Sequence, residues 1–168
     1  MSVKWLGALT GGLVALALAS GVAQAGAGTS TTVLKFFNPP GQVTGIGGLN
    51  VNSNAPPPVG SSIAIRARLE NIGSQFGKPN GATVGRVLLQ CTVLTDYAVT
   101  GTVDGLCNGI AHVPNGFITF VGNGGFSNAK VNYYAVTGGV GPYANDRGQI
   151  IVVNNKDGSS DATVTLSP

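Results

Sequence analysis

The stretch Tyr134–Ile150, YAVTGGVGPYANDRGQI, places four glycines around a Pro-Tyr pair, with alternating apolar residues on both flanks. Two readings compete for it. A phosphate cradle needs the glycines between a strand and a helix, so that helix amides face the anion. Here the glycines lead into GQIIVVNN, β-branched and strand-like, and the segment contains no lysine. Glycine at a strand-to-strand corner supplies positive φ and close backbone approach instead. The segment therefore reads as a corner between two antiparallel strands, and the chain as an all-β protein.

Working outward, the same pattern of short strand and turn recurs. TTVLKFFN (31–38) reads as a first strand, stopped by Pro39 and Pro40 ahead of a loop rich in glycine and asparagine. SSIAIRARLENI (61–72) alternates cleanly, with Ile63, Ile65, Ala67 and Leu69 on one face and Ala64, Arg66, Arg68 and Glu70 on the other, a solvated exterior. Asn80-Gly81 marks a reversal. RVLLQCTVLT, GLCNGIAHV, FITFV, AKVNYYAVTG, GQIIVVNN and DATVTLS supply six more strands. Pro114-Asn115-Gly116 joins two of them in a tight hairpin, with Gly116 expected at positive φ. DYAVTGTV (96–103) reads either as an extension of its strand or as part of a connection. Eight strands with short links suggest a sandwich or a closed barrel, and their hairpin-by-hairpin order favours an eight-stranded antiparallel up-and-down β-barrel, whose lumen is filled or holds one small ligand.

The N-terminus carries a targeting signature. Lys4 precedes an apolar run from Leu6 to Ala23, closed by the small-x-small pattern Ala23-Gln24-Ala25. Residues 1–25 are expected to be a signal peptide and residues 26–168 a single barrel domain, secreted or periplasmic, with no stable membrane span after cleavage. Loss of Lys4 leaves eight basic residues against six acidic ones, scattered along the chain. No basic stripe for nucleic acid results. In an exported chain Cys91 and Cys107 read as a disulfide, the alternative being two buried thiols. The lone histidine, His112, has no nucleophile pattern around it and reads as an ordinary strand residue.

The corner segment also resembles the GGTGxFxxARG segment of plant dirigent proteins and the related allene oxide cyclase-like barrels. Gly138, Gly139, Gly141, Tyr143, Arg147 and Gly148 occupy the matching positions, while Val140 and Asp146 depart from them. LQCTV and GLCNG are similar to strands of exported bacterial members. The resemblance implies the same barrel, often oligomeric (dimer or trimer), holding an apolar small molecule while it cyclises or couples. It implies no cofactor and no metal; any activity would be cyclase-like, isomerase-like or dirigent-like. The ligand-binding candidates are Asn38, Tyr134 and Arg147. Asn38 stands near the place of a family carboxylate, and as an amide it hydrogen-bonds but does not transfer protons. Tyr133 and Tyr134 are adjacent on one strand, so only one of them lines the lumen.

Three functions share this pattern: a barrel steering a cyclisation or coupling, a non-catalytic carrier of an apolar ligand, and an interaction protein with a packed barrel. A tyrosine or carboxylate inside an open cavity would favour the first. A uniformly apolar cavity would favour the second, and a filled lumen the third.

Overall fold

A computed structural model describes residues 30–46, 56–95, 97–126 and 130–168. The expected signal peptide lies outside the described residues. The strands are β1 (Thr32–Asn38), β2 (Gln42–Ile46), β3 (Ser62–Asn71), β4 (Thr83–Val93), β5 (Asp104–Val113), β6 (Gly116–Gly125), β7 (Val131–Val140), β8 (Arg147–Asn154) and β9 (Ser160–Ser167). All pairings are antiparallel, and the sheet closes because β1 pairs both with β9 and with β3.

Nine segments make eight staves. β1 and β2 lie on the same edge of β3, at Phe37 opposite Glu70 and Gln42 opposite Arg66. Between those pairs the first stave uses four residues and β3 uses three, which is a one-residue bulge at Pro39–Gly41. The strand at 42–46 falls within the stretch expected to be loop. Its glycine and asparagine surroundings hide it locally, and pairing with β3 creates it. The described part of DYAVTGTV, residues 97–103, resolves as connection, with one helical turn at Tyr97–Thr100 before β5.

The alternation in β3 comes out as expected. Ile63 and Leu69 are buried, Arg66 and Arg68 are exposed, and Arg68 pairs with Glu70 at 3.5 Å on the outer face. In the β5–β6 hairpin it is Asn115, not Gly116, that takes positive φ, at 68°. Pro114 and Asn115 form the two-residue turn, and its second position favours asparagine as well as glycine. Gly116 answers a different need, since a Cβ there would stand 2.1 Å from the Val140 carbonyl oxygen.

The Gly-rich corner is structural. β7 bulges at Thr137, then turns through a short 3₁₀ segment, Gly141–Tyr143, into β8. Gly141 has φ of 72° and approaches the Asn115 backbone so closely that a Cβ would clash. This brings the corner against the β5–β6 hairpin and buries Tyr143. Together with Leu34, Val84, Val113, Ile118 and Leu166, Tyr143 packs one end of the barrel solid.

Candidate functional site

Above that plug the lumen stays open. A cavity of about 400 Å³ is walled by inward-facing apolar residues, among them Phe36, Leu69, Leu89, Phe120, Ile150 and Val152. Their parity along each strand sends them inward. Around the cavity's polar side stands a collar of Asn38, Asn132, Asn154, Asn155, Ser159 and Ser160, from the ends of β1, β7, β8 and β9.

Hydrogen bonds fix the collar. Asn132 accepts from the Gly125 amide at 2.7 Å through Oδ1 and donates to the Gly125 carbonyl at 3.1 Å through Nδ2. Asn154 donates to the same carbonyl at 3.0 Å. Asn155 donates to Ser159 Oγ at 3.0 Å. Ser159 donates from its hydroxyl and amide to Asp157, which holds that carboxyl below the usual range. Asn38 donates to Ser160 Oγ at 3.0 Å, and its own Oδ1 is buried without a partner among the described residues.

Tyr134 points inward from β7 and lies against β6, with its hydroxyl beside Gly124. Tyr133, its neighbour, is 62% exposed, whereas Tyr134 is 6% exposed. The inward positions facing Tyr134 on β6 are glycines. A Cβ on Gly122 would stand 2.8 Å from Tyr134 Cα, and one on Gly124 would stand 2.9 Å from its hydroxyl oxygen. The ring therefore lies in a slot that those glycines leave, with the Phe120 ring edge-on at 5.4 Å. Phe120 has its own slot, because a Cβ on Gly109 would come within 2.2 Å of it. Burial pushes the Tyr134 phenol up to about 12, so it is a neutral O–H at ordinary pH.

Apart from that phenol, the described residues that line the cavity carry no ionisable group. No cluster of metal-binding side chains occurs among the described residues. The arrangement offers a shaped apolar space, neutral hydrogen-bonding groups and no charge.

Of the residues singled out in the sequence, Asn38 and Tyr134 share this cavity. Arg147 does not join them. It is exposed at the plugged end, donating to the Asp146 carbonyl at 2.9 Å. Cys91 and Cys107 are bonded to each other, fully buried and directly opposite across β4 and β5. The asparagine collar and the two slots that Gly109, Gly122 and Gly124 leave are not apparent from composition. Gly122 and Gly124 do share Phe120's parity in VGNGG, which is the one local signal of a slot.

No protein-family model and no curated protein sequence matches the chain. Solved structures do match its fold. A pyocyanin demethylase aligns with TM-score 0.58 and 21% identity, covering 82% of this chain and 99% of that one. The pterocarpan synthase dirigent protein GePTS1 aligns with TM-score 0.59 and 14% identity over 82% and 83% of the two chains. The Diels-Alderase AbmU from Streptomyces koyangensis aligns with TM-score 0.58 and 13% identity over 86% and 72%.

Proposed function

For a chain that carries the dirigent-type barrel fold, we propose that the lumen binds a neutral, largely apolar small molecule and steers its cyclisation or coupling by holding one reactive conformation. The observation that carries this reading is the apolar cavity of about 400 Å³ with a tyrosine inside it. Its volume lies within the roughly 300–1,000 Å³ usual for small-molecule sites. A packed lumen, the mark of a pure interaction barrel, is not what the described residues form.

The chemistry that suits such a site is positioning. Fixing one near-attack conformer and excluding water lowers a barrier without nucleophile or base. Asn38 and Tyr134 are the polar groups placed to orient the bound molecule. Ring-forming neighbours, a pterocarpan synthase and a Diels-Alderase by name, support this class of reaction.

The test is native mass spectrometry of the protein purified from its producing host. A bound organic molecule of modest mass is expected, and it should change when the apo-protein is given its open-chain or uncoupled precursor. A molecule that is bound but never changed supports the carrier reading instead. No bound molecule, together with no uptake of an apolar probe, overturns both.

Export belongs to the same proposal, supported by the apolar N-terminal run and the buried disulfide. The mature chain should begin at Gly26, or within two residues of it. Leu106, Ile110, Val131, Tyr133 and Val153 are exposed on the outer face of β5, β7 and β8. They support assembly into a dimer or trimer, which sedimentation would measure.

A further inference from the structure

The outer face of β3–β5 gathers basic residues that are scattered along the chain. Arg68 stands directly opposite Arg86 across β3 and β4, and Arg86 stands opposite His112 across β4 and β5. Arg66 lies two residues before Arg68 on the same face, and all three arginines are exposed. Of the three, only Arg68 has an ion-pair partner among the described residues, Glu70 at 3.5 Å. Like charges directly opposite each other weaken a sheet, so the fold gains nothing from this row.

Beside the row the same outer face forms an open groove of about 800 Å³, with Arg66 in its wall. Gln90, Asn108, Thr119 and Thr137 present neutral amides and hydroxyls along it, and Leu88 and Ile110 supply apolar contact. No acidic side chain lines it among the described residues.

We propose that this groove and its arginine row bind an acidic polysaccharide, a chain of uronic acids, independently of the lumen. Arginine forks match carboxylates in two parallel hydrogen bonds. Neighbouring strands lie about 4.8 Å apart, close to the length of one sugar residue, so a chain laid across the strands brings successive carboxylates to Arg86 and Arg68. The groove's amides and hydroxyls suit sugar hydroxyls, which both donate and accept. Other occupants fit less well. An extended peptide docks by adding to a sheet edge, and a closed barrel offers none. A second copy packed through the same patch would set arginine against arginine. A lipid surface is flat and does not follow a groove.

The test is calorimetry with an oligogalacturonate and with its methyl ester, the same chain without charge. The acid should bind the wild type and the ester about tenfold more weakly, with the acid's affinity falling as salt rises. The double variant Arg66→Gln/Arg86→Gln should lose about tenfold for the acid while its melting temperature and its uptake of an apolar probe stay unchanged. The charge-matched control Lys78→Gln/Lys156→Gln, at exposed lysines away from the groove, should bind the acid like the wild type. Equal binding of acid and ester, no binding of either, or an equal loss in both double variants overturns the proposal. So does capture of phosphatidylglycerol vesicles in place of the oligosaccharide, or a change of oligomeric state in Arg66→Gln/Arg86→Gln. None of these outcomes touches the lumen, whose reading stands or falls on its own test.

Discussion

The hydroxyl of Tyr134 occupies the place where a side chain at Gly124 would begin, 2.9 Å from an ideal Cβ. Cys107 Sγ stands 2.6 Å from the same point. One missing methyl group thus makes room for a phenol end and a disulfide sulfur together.

Gly124→Ala should therefore be destabilising and should push the phenol from its slot. Overpacking of this kind costs about 1–3 kcal/mol. A thermal melt should show the loss, and affinity for an apolar probe should fall even in the folded fraction. A variant that melts and binds like the wild type would show that the slot does not position the ring.

Alkaline pH should unfold the protein through its buried phenols. In the unfolded chain a tyrosine ionises near 10, while in the fold burial pushes Tyr134 up to about 12. Between those values the folded state binds the proton more strongly, so stability is complete below pH 10 and declines as pH rises toward 12. Tyr143 adds in the same direction, raised by burial and then by the Asp146 carboxylate. Denaturant melts from pH 8 to 11.5 should fall, with a shallower decline in Tyr134→Phe. An unchanged slope in that variant would contradict the assignment. The same absence of ionisable lining groups predicts probe affinity that is flat from pH 5 to 9.

The Cys91–Cys107 bond closes a loop of sequence separation 16. Constraining such a loop in the unfolded chain stabilises by about 3 kcal/mol on the chain-entropy model. Reduction followed by alkylation should lower the unfolding free energy by that order. The intact mass before reduction should lie two hydrogens below the reduced mass. Two thiols alkylatable without reductant would refute the bond.

Arg147→Ala should be quiet. The side chain is exposed at the plugged end, and among the described residues its hydrogen bond goes to the Asp146 carbonyl. Stability should change by less than about 0.5 kcal/mol, and probe affinity should not change. A tenfold loss of affinity would place Arg147 in the binding site after all.

What the chain determines locally is the facing of its strands. Period-two alternation is an intrinsic property of extended backbone, so Ile63 and Leu69 fall on one face of their strand, and Tyr133 and Tyr134 on opposite faces of theirs, from their neighbours alone. The corner at Gly138–Gly148 is likewise legible, because glycine at a turn answers a local demand on φ. Contacts between distant segments obey a different logic. That β2 continues the stave of β1 depends on β3 offering a free edge, some twenty residues further along. That Tyr134 finds a slot depends on glycines of another strand reaching the same height in the register. Arg147 sits in the glycine-rich corner, yet it opens β8 opposite Ser167, while Asn38 pairs with Ser160 at the other end of the barrel. Whether a barrel is plugged or hollow is a sum over inward side chains brought together by closure, and no stretch of sequence holds that sum by itself. Here closure left the space beside Tyr134 unfilled, and only the assembled barrel could decide it.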